Sequence, residues 1–368
     1  MIVKKKLLEL ESLRGLAAVA VAISHLKGSS LLINNGFIDY AFLMVDFFFV
    51  LSGFVIAMNY QDYIKTANDL KTFMRKRFWR LYPLHFLTLL GALSIEFAKY
   101  AFERKTGITP NHPAFEISSG VAFVHNLFLT HSFLLSDLTF NFPSWSISTE
   151  FYTYLIFAFV IFFGRSKLIT ISILIILISF YIIYPESKKS MNIVNGISIF
   201  RCTLSFFLGV LCYSIYTRLS HNVKSIHILP TFILSILAVI YLASDEYGIF
   251  VPLFFCVLII QAALLDEQSY ASRILHTKPL VYLGTISYSV YMTHSLVWWV
   301  VNNGLRFVFK VPTYTDENGS KILDISHTQS SLLVIFTMIL VIAISHFTYL
   351  FIENRFRKGV KRKQYQVA

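Results

Sequence analysis

Apolar residues fall into ten stretches, at 9–27, 40–60, 79–102, 145–164, 168–184, 198–217, 227–243, 249–265, 280–301 and 329–352. Each is close to the ~20 residues that a helix needs to cross a hydrocarbon core of about 30 Å. Segment 118–135 is amphipathic but too broken to span. It is expected either to re-enter the membrane or to lie along its outer surface. The pattern predicts an all-α polytopic membrane protein with about ten transmembrane helices.

Composition agrees. The chain is 56% hydrophobic and 14% charged, against about 25% charged in soluble domains. A net charge of +12 could suit nucleic acid, but the lysines and arginines cluster in short loops between apolar stretches. With the N-terminus inside, 21 of them fall on the cytoplasmic side and nine outside, and Arg14 and Arg201 lie within spans. This asymmetry predicts both termini in the cytoplasm of a multi-pass cell-membrane protein, with the lipid bilayer rather than nucleic acid as its partner.

Cys202, Cys212 and Cys256 all lie in apolar stretches, so neither a disulfide framework nor a metal set is expected. The start, with Lys4–Lys6, resembles a signal peptide but lacks a small-residue cleavage site, which makes it an uncleaved first span. No internal repeat is visible, and segment 302–328 is too short to fold independently. The expectation is one membrane domain over 1–368, ending in a basic cytoplasmic tail at 354–368, with no appended soluble domain.

The first stretch carries the most informative pair, Arg14 and His25. Eleven residues at about 100° each return within ~20° of the same helix face, roughly 16 Å apart along the axis. Either residue alone could merely snorkel to a headgroup layer. Together they offer a fixed cation for an anionic cofactor and an imidazole able to take a hydroxyl proton. Asp46, near the outer end of a Phe-rich span, could orient His25, or could lie in wet headgroups.

Arg75, Lys76, Arg77 and Arg80 interleave with Phe78, Trp79 and Tyr82 in a cytoplasmic run. Such a run serves as a topological anchor or as a site for phosphates and a flat purine. In the run from Asn141 to Glu150, Pro143 breaks the chain, Trp145 suits an interface and Glu150 projects into the bundle. Glu150 is thus a second candidate to orient His25. Further along, Tyr291 and His294 share one helix face, one turn apart.

These motifs resemble the acyltransferase-3 family of integral membrane acyltransferases. The resemblance rests on Arg14 and His25 with ten residues between them, Phe47–Phe54 with Ser52 and Gly53, Arg77 and Arg80, Ser144–Glu150, and Ser287–His294. It implies ten spans and transfer of an acyl group, most often acetyl, from an acyl-CoA to a hydroxyl of a cell-surface or secreted glycan. It further implies His25 as catalytic base and Arg14 as its partner or a donor-binding group. Arg77 and Arg80 would hold the donor, with Arg75, Tyr82 and Ser52 grouped beside them. Tyr291, His294 and Trp145 are the candidates for the acceptor. The competing reading is a proton-coupled transporter of lipid-linked sugars or small anions, with Arg14, His25, Asp46 and Glu150 as a relay.

Overall fold

A computed structural model describes residues 7–107, 112–220, 228–242, 247–316 and 321–357. The basic N-terminus at Lys4–Lys6 and the tail beyond Arg357 lie outside these residues. The first seven helices are α1 (Leu8–Ser24), α2 (Gly36–Asp39), α3 (Met44–Tyr60), α4 (Ala67–Thr106), α5 (Gly120–Leu127), α6 (His131–Leu134) and α7 (Trp145–Gly164). The rest are α8 (Leu168–Ser187), α9 (Ser198–Leu219), α10 (Ile228–Leu242), α11 (Val251–Ala263), α12 (Tyr270–Leu275), α13 (Lys278–Asn303) and α14 (His327–Thr348). A helix stands at each of the ten apolar stretches.

By length and composition, Ala41–Tyr60, Ala67–Thr106, Phe142–Ser187, Ser198–Leu219 and His327–Arg357 can each cross a bilayer, and Gly248–Ala263 is a shorter apolar helix. The protein is an α-helical, multi-pass membrane protein. A small hairpin qualifies the all-α expectation: β1 (Thr313–Thr315) pairs antiparallel with β2 (Lys321–Leu323), Thr313 opposite Leu323. Helix α4 departs more from expectation. It begins at Ala67, so the basic run is helical rather than a loop, and Pro83 sits inside it. Nothing between Ala67 and Tyr82 breaks a helix, and Leu70, Lys71, Met74–Arg77, Arg80 and Leu81 have good helical propensity.

The chain forms two compact units. The first gathers Met1–Ala17, Leu43–Arg77 and Thr149–Ser287; the second gathers Ala18–Phe42, Phe78–Ser148 and Tyr288–Ala368. Helices α1, α4, α7 and α13 each give residues to both, so no composition shift or linker marks a boundary along the sequence.

In the first unit α3 packs on α9 at backbone contact. A Cβ at Gly53 would lie 1.9 Å from the Phe206 carbonyl oxygen, and one at Gly209 would lie 2.0 Å from that of Val50. Small residues permit this approach, which membrane helices need because lipid removes the hydrophobic drive to associate. Helices α1 and α13 meet in the same way at Gly15 and Gly284.

In the second unit, segment 118–135 forms α5, α6 and their connections. Its polar side is inside: Asn126, His131 and Ser132 are buried while Val121, Val124, Phe128 and Leu134 are exposed. That is amphipathicity turned outward, as suits lipid contact. Ser326 and Gln329 form a capping box that starts α14, satisfying backbone donors at its first turn.

Candidate functional site

In the second unit, His25 sits one residue past the end of α1, on a part-exposed edge. Its Nδ1 lies 3.0 Å from Nε2 of His294 on α13, and the two rings stack at 5.0 Å. His294 is buried, and its Nδ1 lies 3.3 Å from the Val290 carbonyl oxygen. A carbonyl can only accept, so the network assigns the His294 proton to Nδ1 and leaves Nε2 bare. His25 then donates through Nδ1 and keeps an unprotonated Nε2. The outcome is an oriented imidazole holding a basic nitrogen, as a proton acceptor requires.

The turn before α7 walls this pair. Phe142 meets His25 edge-on at 4.9 Å. The turn is pinned to α13 on both sides of Phe142. Asn141 Nδ2 donates to the Met292 carbonyl at 3.0 Å, and Ser295 Oγ donates to Asn141 Oδ1 at 2.6 Å. Tyr291 donates to the Pro143 carbonyl at 2.9 Å and accepts from Ser146 Oγ at 2.8 Å. Tyr291 and His294 share their face as predicted, with rings 5.9 Å apart. Trp145, expected at an interface, is buried instead. Tyr82 stacks on Phe78 at 4.4 Å, and Arg80 lies half-buried on the same helix.

The remaining candidates have their partners in the first unit. Arg14 Nε donates to Ser287 Oγ at 2.8 Å, and its Nη2 donates to the Gly284 carbonyl at 2.6 Å and to Glu11 Oε2 at 3.1 Å. It therefore locks α1 to α13. Asp46, a candidate above to orient His25, has its partners within the first unit. It is buried in an ion pair with Arg201, whose Nε reaches both carboxylate oxygens at 3.2 Å and whose Nη2 reaches Oδ2 at 2.7 Å. Ser205 Oγ adds a bond at 3.0 Å. With its oxygens so occupied, Asp46 neutralises a buried guanidinium. Glu150 also serves elsewhere, accepting from Tyr154 at 2.5 Å, and Tyr154 in turn bonds Ser52 Oγ at 2.8 Å.

Arg77 joins this last cluster. Its guanidinium lies over the rings of Tyr60, Phe73 and Tyr154 at 5.1, 5.7 and 5.9 Å, and Nη2 donates to Tyr60 Oη at 3.0 Å. Its Nε is buried with no hydrogen-bond partner. Arg75 is exposed on the same helix. The structure thus brings Arg77, Ser52 and Glu150 together through two tyrosines that the sequence had not singled out. Among the described residues no three His, Cys, Asp or Glu side chains converge to hold a metal.

Residues 7–350 match the family model of the Acyl_transf_3 acyltransferase domain, nearly the whole chain. The protein belongs to this family of acyltransferase-domain proteins. The curated "Acyltransferase MdmB" of Streptomyces mycarofaciens is 37% identical over 118 residues, which cover 31% of this chain and 27% of that protein. No solved structure matches the chain.

Proposed function

We propose that the protein transfers an acyl group, most often acetyl, from acyl-CoA to a hydroxyl of a cell-surface or secreted glycan. It does so as a ten-span protein of the cytoplasmic membrane with both termini inside. The helix at every apolar stretch and the 21-to-9 charge split support that topology. The observation that carries the chemistry is the His25–His294 pair, because it leaves His25 Nε2 unprotonated on a part-exposed ring.

His25 Nε2 takes the acceptor hydroxyl proton as that oxygen attacks the thioester carbonyl. The C–O bond forms and the C–S bond breaks. The proton passes from His25 to the departing sulfur, releasing coenzyme A as its thiol and restoring the neutral imidazole. Arg77, with its uncommitted Nε, and Arg75 and Arg80 are suited to the donor phosphates, since guanidinium groups pair with phosphate oxygens. Arg14 holds α1 against α13 and so fixes the helix that ends at His25.

The test uses purified full-length protein in detergent, acetyl-CoA, and surface polysaccharide from host cells lacking the protein. Thiol release together with a new acetyl signal in the NMR spectrum of the polysaccharide is expected. Absence of both, across acyl-CoA donors of different chain length, would overturn the reading.

A further inference from the structure

A pocket of about 540 Å³ opens in the first unit, and none of the motifs above accounts for it. Its walls include Glu9 at the start of α1, Met58 near the end of α3, Tyr213 and Tyr216 on α9, Glu267 and His276. The volume is in the range of small-molecule sites. Tyr213 and Tyr216 lie 6.3 Å apart at a shallow 29° angle, both braced edge-on by Phe54. Tyr213 is buried and Tyr216 half-buried, so Tyr216 is the ring available to a ligand. Glu9 is held in place: its Oε1 lies 2.8 Å from His276 Nε2 and accepts from Ser272 Oγ at 3.1 Å.

The chemistry of these walls selects a ligand. Carboxylates accept and do not donate, so the pocket repels phosphate and favours a group bearing N–H donors. Stacked aromatic rings favour a flat π-face. A nucleotide base with an exocyclic amine satisfies both demands. Position supplies the second argument. Met58, in the pocket, lies two residues from Tyr60, which holds Arg77 by a 3.0 Å hydrogen bond and stacks under it. That is a rise of about 3 Å along α3. The pocket and the guanidinium with its uncommitted donor therefore lie at nearly the same level along α3.

We propose that this pocket binds the adenine end of the acyl-CoA donor, with Tyr216 as a stacking platform and Glu9 as acceptor for the base amine, while Arg77 takes the adjoining phosphates. This rests on the acyl-CoA reading above and adds the part of the donor recognised and the residues that recognise it. The pocket discriminates coenzyme A from shorter thioesters that carry the same acyl arm.

The experiment is calorimetric titration of full-length protein in detergent with acetyl-CoA, with acetyl-phosphopantetheine, and with adenosine 3′,5′-bisphosphate as a competitor. Wild type should bind acetyl-CoA at least tenfold more tightly than acetyl-phosphopantetheine, and the bisphosphate should compete with acetyl-CoA. Tyr216→Ala should weaken acetyl-CoA about tenfold and leave acetyl-phosphopantetheine unchanged, while Tyr216→Phe retains wild-type affinity. Equal wild-type affinity for the two donors, absence of competition, or equal weakening of both donors by Tyr216→Ala would each overturn the proposal. Should Tyr216→Ala not fold, the wild-type comparison and the competition decide alone. If wild type binds neither donor, the acyl-CoA reading itself fails. If it binds both equally, only this inference does.

Discussion

His25 Nδ1 lies 3.0 Å from His294 Nε2, and His294 Nδ1 in turn faces the Val290 carbonyl. A backbone carbonyl thereby sets the tautomer of one histidine, which sets that of the next. In acyl-transfer sites that orienting group is commonly a carboxylate. In the proposed mechanism a neutral imidazole takes this part without placing a net charge beside the reacting oxygen.

In the proposed mechanism His294 is therefore a positioning residue. His294→Phe keeps the volume and removes the acceptor, and should lower kcat about 10–100-fold, as loss of an orienting partner does. KM for acetyl-CoA should not move, and His294→Gln should recover part of the rate. Steady-state kinetics separate this from a general packing defect, which would change KM and thermal stability as well.

Asp46 and Arg201 are both fully buried. Asp46→Ala strands a guanidinium and should destabilise the protein by about 3–5 kcal/mol. The double variant Asp46→Leu with Arg201→Met should recover most of that loss. Thermal unfolding in detergent reads both. Equal losses in the single and double variants would show that the pair does more than neutralise itself.

Gly53 touches the Phe206 backbone so closely that no neighbouring side chain can move aside for a methyl group. Gly53→Ala should cost about 1–3 kcal/mol through overpacking, despite the better helix propensity of alanine. Gly120→Ala meets nothing within 4 Å and serves as the control. A shift in unfolding temperature confined to Gly53→Ala is the expected result.

Much of this was legible in the sequence, and the parts that were not share a cause. Apolar length located the helices because lipid imposes that length whatever the packing. The Arg14–His25 spacing was readable because both belong to one helix. Partners on different helices are another matter. Arg201 stood inside a span with no counter-charge nearby in sequence, a signal that some buried carboxylate must answer it, yet nothing local selected Asp46. Tyr154, Tyr60 and Asn141 look like ordinary helix and turn residues until the chain folds. The basic run was read as a loop because charge density suggested solvent, whereas backbone propensity carried α4 through it to Ala67.

Arg77 offers a direct check on donor recognition. Arg77→Lys keeps the charge but loses the planar fork and its stacking on Tyr60, Phe73 and Tyr154. Affinity for acetyl-CoA should fall about tenfold, equivalent to about 1.4 kcal/mol. Calorimetric titration measures it; unchanged affinity would remove Arg77 from the donor site.

The most direct measurement follows labelled acetyl from acetyl-CoA into surface polysaccharide, comparing wild type with His25→Ala at matched amounts of folded protein. Loss of a proton acceptor predicts a fall of about 10²–10⁴-fold in rate. Transfer by His25→Ala at the wild-type rate would contradict the account.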